Sequence, residues 1–497
     1  MFKRTRCNII IGICIFVAVI VTILIVKFHH KIRFDDDYLL TPKFDLSTKF
    51  NANNANNANC KNQFGINFKS FLQQVICPAK DFYIDLHDAI EYMESKESHN
   101  TETDAKLKET ETLADFFNFG PMENLTVLDK FNLEIKQTEL YAENSSLVGE
   151  LLHEMKTRKI IRVEEKSGGT QLKFKIIYDN GMYALAKPMR FSREMEIALP
   201  NQMQYAEFER HTAEIAAYHL DRLLGFRRTM PVIGRILNVT SEIYEIAHNN
   251  LSDTFFESDG PEKNQCFYGT CSQYCDKFHA FCANKDLLEA AFIGFLPTYF
   301  DVKIKEYENP WKKSYDRKRK AIWQHDPQYC EKVKRRNEFK SGPRLLYLID
   351  LIIFDFLTGN KDRHSYEMFG PFHDPNFLIN FDNGRAFGHP YYDEELNLIP
   401  LAQCCIIRSS TLKTLLRFHN GPKPLSQLMR ESLASDPIAA NAPVLIEPHL
   451  EALDRRVDII LRTYRECIEN NLVDDVIFSG DNFEYKSEST TSDVSDW

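Results

Sequence analysis

A chain of 497 residues, 43% apolar and 27% charged, has room for two or three domains and a sizeable core, which excludes a disordered or fibrous protein. Its 61 basic and 71 acidic side chains leave a net charge of -10. That balance speaks against nucleic acid as the principal partner, because phosphate binding leaves a strongly basic footprint.

The stretch from Ile9 to Val26 carries no charge and follows Lys3, Arg4 and Arg6. Its length suits a bilayer-spanning helix, so residues 1–27 are expected to form a cytoplasmic tail and transmembrane signal anchor. A cleaved signal peptide is the alternative, although no small-residue cleavage site follows the run. Lys27, Lys31 and Arg33 blunt the positive-inside bias, so placing the bulk of the chain in the lumen rests on cysteines and on N-x-S/T sequons. The sequons lie at Asn124, Asn144, Asn238 and Asn250. Residues 28–80 include the tract NANNANNANC, which lacks the apolar side chains to build a core and reads as a flexible stem. The acidic DDDY at Asp35 to Tyr38 lies too near the membrane for a folded pocket to surround it. Residues 81–165 form an N-terminal extension with a charged, solvated run and no assignable chemistry.

From Gly168 the pattern becomes regular. Leu172, Phe174 and Ile176 alternate along a strand, Asp179-Asn180-Gly181 makes a turn, and a second strand returns through Tyr183 and Leu185 to Lys187. Next comes an expected helix with Ala213, Ala216, Leu220 and Leu223 in a stripe, Gly225 as its stop, Glu209 at its front and Glu214 within it. The cluster Cys266, Cys271, Cys275 and Cys282 suggests disulfides, with zinc as the rival. The basic run Lys312 to Lys320 reads as a solvated face.

RLLYLIDLIIFDFLTGN has Leu345, Leu348, Ile349, Ile352, Ile353 and Phe356 at helical spacing, and Gly359 ends the helix just before Asp362. Asp350 and Asp355, set within that apolar pattern, read as structural acids, and His364 as a packing histidine. Asp382 follows the strand-like FLIN. Two acids on loops suit phosphoryl transfer, which needs one carboxylate to accept a hydroxyl proton and another to hold a divalent metal on the nucleotide phosphates. Hairpin, lysine, acid-bearing helix, then acid-bearing loops is the order of a protein kinase. The Ser- and acid-rich tail, 476–497, is expected to be mobile.

The strings GGTQLK, KPMRFSRE, ERHTAEIAAYHLDRLLGFRR, CFYGTCSQYC, FDFLTGNKDRHSYE, DNGRAFG and QCCIIR resemble the secretory-pathway kinases related to four-jointed, most closely the branch of the Golgi casein kinase through CFYGTCSQYC, while QCCIIR and MRFSRE resemble the sister branch of xylose kinases. The resemblance implies an α+β, atypical bilobal kinase fold. Its β-rich small lobe and insertion would span 166–292, and its mainly helical, disulfide-tied large lobe 293–475. It implies Asp362 as catalytic acid and Asp382 and Glu209 as ligands of Mn2+, with Mg2+ as the alternative. Glu209, rather than Glu214, would be the acid paired with Lys187. Gln171, Lys187, Ile293, Gly294, Phe295, Leu296 and Glu367 would contact ATP, the co-substrate. The implied disulfides are Cys266–Cys282, Cys271–Cys275, Cys330–Cys404 and Cys405–Cys467, leaving Cys60 and Cys77 unassigned. The family's kinase-dead branch carries glutamine at the position of Glu209. The implied activity is phosphorylation of Ser in S-x-E sites of secreted acidic proteins by a Golgi type II membrane protein, with release after stem cleavage, as a homodimer or a heterodimer with a family pseudokinase. Xylose phosphorylation and an allosteric pseudokinase role are the alternatives.

Overall fold

The computed structural model describes residues 81–97, 111–120, 124–168, 171–191, 193, 209–271, 274–297, 302–314, 319–370, 377–480 and 483–485. The chain divides into a unit Met1–Asp81 and a unit Phe82–Trp497. The expected anchor, stem, DDDY motif, Cys60 and Cys77 lie outside the described residues, as does the tail beyond residue 485. Among the described residues no helix is long and apolar enough to cross a membrane.

The second unit opens with α1 (Ile84–Glu97), followed by α2 (Ser146–Thr157). Five strands then build an antiparallel sheet: β1 (Ile160–Glu165), β2 (Phe174–Tyr178), β3 (Tyr183–Pro188), β4 (Val232–Asn238) and β5 (Leu287–Gly294), in the order β1-β2-β3-β5-β4. The β2–β3 hairpin turns at Gly181, whose φ of +82° suits a residue without a Cβ. Its register sets Phe174 opposite Ala186 and Lys175 opposite Leu185. Phe174, Ile176, Ala184 and Ala186 therefore share the buried face, while Tyr183, Leu185 and Lys187 share the other. The returning strand buries its alanines rather than Tyr183 and Leu185, and α3 (His211–Leu224) packs against β4 and β5. Burial on α3 runs almost all round, from His211 through Asp221, and includes the polar side chains His211, Glu214, His219 and Asp221. Leu223, expected in the stripe, is only half-buried.

The remainder is mainly helical. α4 (Arg344–Thr358) is buried from Leu345 to its last residue and ends at Gly359, whose φ of +66° makes a left-handed cap. A Cβ there would stand 3.2 Å from the Arg456 guanidinium, so glycine is required twice over. α5 (Glu395–Cys404) and α8 (Glu447–Asn470) pack against α4, and α6 (Ser409–Asn420) and α7 (Leu425–Leu433) pack in turn against α8. A three-stranded ribbon, β6 (Lys303–Glu308), β7 (Ser365–Gly370) and β8 (Phe377–Ile379), is ordered β8-β7-β6 and flanks the chain that leaves α4. The N-terminal extension is not merely solvated: Asp85 on α1 pairs with both sides of the Arg465 fork at 2.7 Å, and Tyr83 donates to Asp458 at 2.6 Å.

Four disulfides are formed among the described residues: Cys266–Cys282, Cys271–Cys275, Cys330–Cys404 and Cys405–Cys467. The last two tie α5 to the segment before α4 and to α8, closing sequence separations of 74 and 62 residues. Loops of that length are the ones whose closure most restricts the unfolded chain, by roughly 4 kcal/mol in the chain-entropy account.

Candidate active site

Lys187 ends β3 on the face turned away from the small-sheet core and gathers three carboxylates. Its Nζ donates to Glu214 Oε1 at 2.6 Å and to Asp382 Oδ1 at 2.8 Å, and lies 3.6 Å from Glu209 Oε2. Glu214, inside α3, is thus the nearer small-sheet partner of Lys187 and Glu209 the more distant one, the reverse of the ranking expected from the resemblance. The reason is helical geometry: Glu214 projects from a fixed position in the first turn of α3, whereas Glu209 precedes the helix on extended chain. Burial alone would lower the Lys187 ammonium, but Asp382, Glu214 and Glu209 together hold it well above its usual value. Lys187 in turn holds the Asp382 carboxyl well below the carboxylate range, with Lys173 and Arg363 adding to it. Burial pushes the Glu209 carboxyl up despite the pull of Lys187.

Asp382 stands at φ +52°, in the left-handed region that a side chain other than glycine seldom occupies, and its side chain is 68% exposed toward the cleft. Gly384 explains how Glu209 comes so near. A Cβ at that position would lie 3.2 Å from Glu209 Cβ and Cγ, and the Gly384 carbonyl accepts from Arg210 N at 2.8 Å.

Asp362 follows the Gly359 cap by three residues. Asn360 Oδ1 accepts from its backbone N–H at 3.0 Å, and Arg385 donates to its carboxylate. His364 is half-exposed, with Nδ1 3.8 Å from Asp362 Oδ1, so it stands at the surface beside Asp362 rather than in packing. Arg363 braces the whole arrangement. It makes a two-pronged pair with Asp355 at 3.0 Å for each prong, donates to the Phe381 carbonyl, and donates to Asn383 Oδ1 at 3.0 Å. One guanidinium therefore fixes the loop carrying Asp362 to the loop carrying Asp382.

The remaining expected site residues flank this centre. Gln171 is buried just before β2. Ile293 pairs with Leu185 across the sheet and Gly294 with Ala184, while Phe295 packs edge-on against Tyr183. Glu367 on β7 lies between Glu306 and Ile379 in register, and its Oε2 is buried without a hydrogen-bond partner. Burial pushes its carboxyl up against the pull of Arg363. An orphaned acceptor in a cleft wall suits a ligand that brings a donor, as an amino-substituted nucleobase does.

Glu209 and Asp382 supply hard carboxylate oxygens, the donor type taken by divalent manganese and magnesium, so this donor set fits such an ion. Zinc at the cysteine cluster does not fit. Glu165, Cys271 and Cys275 come together, but the two sulfurs are bonded to each other and offer no thiolate. Of the sequon asparagines, Asn124, Asn144 and Asn250 are exposed, while Asn238 is half-buried with its side-chain oxygen accepting from Ser241.

Residues 126–476 match the family model described as Fam20C, Golgi casein kinase, C-terminal, Fam20. The chain belongs to the Fam20 family. It is 50% identical over 369 residues to the Drosophila melanogaster extracellular serine/threonine protein CG31145, covering 74% of this chain and 69% of that one. It is 46% identical over 349 residues to the Homo sapiens extracellular serine/threonine protein kinase FAM20C, covering 70% of this chain and 59% of the human one. The human glycosaminoglycan xylosylkinase is 39% identical over 339 residues, covering 68% of this chain and 80% of that one. The Golgi casein kinase solved with Mn/ADP bound superposes with a TM-score of 0.72 at 35% identity, covering 86% of this chain and 97% of that one. Fam20 members are secretory-pathway proteins that include kinases and a pseudokinase.

Sequence reasoning on this Fam20 chain missed several residues of the site. Arg363 and Arg385 look like any surface arginines in a string, and their roles follow only from the return of the chain through Asp382. Lys313, taken as part of a solvated basic run, is 11% exposed and lies in a recess beside the Asp362 loop. An adjacent tryptophan, Trp311, was the available signal that this run is anchored in the core.

Proposed function

We propose that this Fam20 chain is an ATP-dependent serine/threonine protein kinase of the secretory pathway, transferring the γ-phosphate of ATP to Ser in S-x-E motifs of secreted proteins. The observation that carries the reading is the meeting of Lys187 with Asp382 at 2.8 Å while Arg363 ties that loop to the loop of Asp362. Asp362 takes the proton of the serine hydroxyl as its oxygen bonds to the γ-phosphorus and the bond to the β,γ-bridging oxygen breaks, leaving ADP. Arg385 keeps one oxygen of Asp362 engaged, so the other is the one that faces the acceptor. Lys187 contacts the phosphates as a point charge, oriented by Glu214. Glu209 and Asp382 would hold Mn2+, which supplies neutralisation of the phosphate charge. Gln171, Ile293, Gly294, Phe295, Leu296 and Glu367 line the nucleotide side. Retention of Glu209, in place of the glutamine of the kinase-dead branch, supports activity over a purely allosteric role.

Four disulfides support folding in an oxidising lumen. With the charge-free run at Ile9–Val26, they support a type II Golgi protein with a lumenal kinase domain. A xylose acceptor is the second reading, favoured by the xylosylkinase relative and by the similarity to hydra Fam20, solved with sugar, at a TM-score of 0.67 and 36% identity, covering 71% of this chain and 99% of that one. The deciding experiment incubates the full chain with Mn2+ and ATP against a casein-like S-x-E peptide and a xylose-containing linker sugar. Phosphate on the peptide is expected. Phosphate on the sugar alone overturns the acceptor assignment, and ATP binding with phosphate on neither supports a pseudokinase.

A further inference from the structure

The loop that carries Asp362 has a second side. Asn360, Lys361, Arg363 and His364, the residues before and after Asp362, line a recess that is closed by Trp311 and Lys313. Arg363 is committed to Asp355, so the charge left over in the recess is that of two lysines around one carboxylate. Lys361 Nζ lies 3.0 Å from Glu394 Oε2 and Lys313 Nζ 3.8 Å from the same oxygen. The Lys313 ammonium nitrogen is fully buried and makes no hydrogen bond, and burial lowers it to about 8. A desolvated cation in that condition is costly unless an anion completes it. Glu394 caps α5 through the Leu396 N–H, so its carboxylate is divided between the helix end and the two lysines.

The geometry points to this recess as the subsite for an acidic side chain two residues beyond the phosphoacceptor, held by Lys361 and Lys313. The assignment rests on the protein kinase reading given above. In an extended acceptor segment, side chains two residues apart face the same way and lie about 6.5 to 7 Å from each other along the chain. A serine presented to Asp362 therefore presents its second neighbour on either side to the same surface, and the S-x-E reading selects the following one. Lys361 is the immediate chain neighbour of Asp362, about 3.8 Å away between Cα atoms, so one subsite follows the other at the right scale. The next residue of the acceptor points outward, which leaves its identity free. An anionic side chain that enters supplies the missing partner of Lys313 and competes with Glu394 for Lys361; a neutral isostere does neither.

The test compares two acceptor peptides that differ only in Glu or Gln at the second position after Ser, with the full chain, Mn2+ and ATP. The readout is the ratio of their kcat/KM values. The unaltered chain is expected to favour Glu by about tenfold or more. Lys361→Met and Lys313→Met should each bring the ratio toward one, and Lys361→Arg should keep most of it. A variant that is simply less well folded lowers both rates and leaves the ratio standing, so loss of stability does not imitate the result. A ratio unchanged in both Met variants overturns the recess assignment while the kinase reading survives. Transfer to neither peptide by the unaltered chain overturns the kinase reading beneath it.

Discussion

The two sides of the cleft neutralise their acids in opposite ways. On the helical side three carboxylates are met by guanidiniums: Asp355 has Arg363, Asp350 has Arg228 and Arg408, and Asp393 has Arg455 and Arg456. Where the sheet meets the loop of Asp382, three carboxylates, Glu209, Glu214 and Asp382, crowd around the ammonium of Lys187, with Arg385 4.0 Å from Glu209. Acids met by at least one guanidinium apiece fix a framework and leave no negative charge over. A shared lysine leaves negative charge uncompensated, and that surplus is what a divalent cation can satisfy.

The largest expected effect is on turnover. Asp362→Asn should lower kcat by roughly 10²- to 10⁴-fold with little change in the melting temperature, because the substituted amide cannot take the hydroxyl proton. A fall in stability of similar weight to the fall in activity would put Asp362 among the framework acids instead. Next is a framework test. Arg363→Met strands the Asp355 carboxylate in a buried site, and urea unfolding should show a loss of about 3–5 kcal/mol. A near-neutral result would mean that Asp355 is not held by its matched cation.

A finer test separates the two small-sheet acids. Glu209→Gln is expected to raise the Mn2+ concentration needed for half-maximal transfer by about tenfold or more, whereas Glu214→Gln should mainly raise KM for ATP by loosening Lys187. Titrations of metal and of ATP on both variants check this, and exchanged effects would exchange the roles.

The smallest expected effect is a cancellation on α3. Burial raises the Asp221 carboxyl to about 6 and lowers the His219 imidazole to about 4. Between about pH 4 and 6 the folded chain binds more protons than the unfolded one at Asp221, so that residue makes stability fall as pH rises. In the same window the unfolded chain binds more at His219, so that residue makes stability rise. The sum is nearly flat. Asp221→Asn should leave stability that climbs with pH through this window, and His219→Gln stability that falls. Unfolding midpoints at pH 4.5 and 6 check the two slopes, and slopes that match the unaltered chain would show that neither group differs in proton affinity between the folded and unfolded states.

What could be read from the string depended on distance along it. The α4 pattern and the Gly359 stop are local, and they located Asp362 because a residue just past a helix end is presented whatever the rest does. The β2–β3 hairpin located Lys187 for the same reason. The approach of Glu209 was not local: it depends on Gly384, about 175 residues further along the chain, where a Cβ would crowd the Glu209 side chain. The burial of Lys313 likewise depends on α5 and Glu394, which no composition of a basic run reveals. Spacing alone could not choose between zinc and disulfides for the clustered cysteines, since sulfur pairing is set by the fold.

Cys404 and Cys405 are neighbours in the chain, yet one sulfur reaches back to Cys330 and the other forward to Cys467 on α8. The backbone reverses between them, with Cys405 at φ +49° after the end of α5. A nascent chain offers oxidants two thiols that differ by one position, and exchanging their partners would drag α8 and the segment before α4 out of place. Each sulfur is therefore matched to its partner by the packing of the helices rather than by its position in the chain. Material made in a reducing host should emerge without either staple.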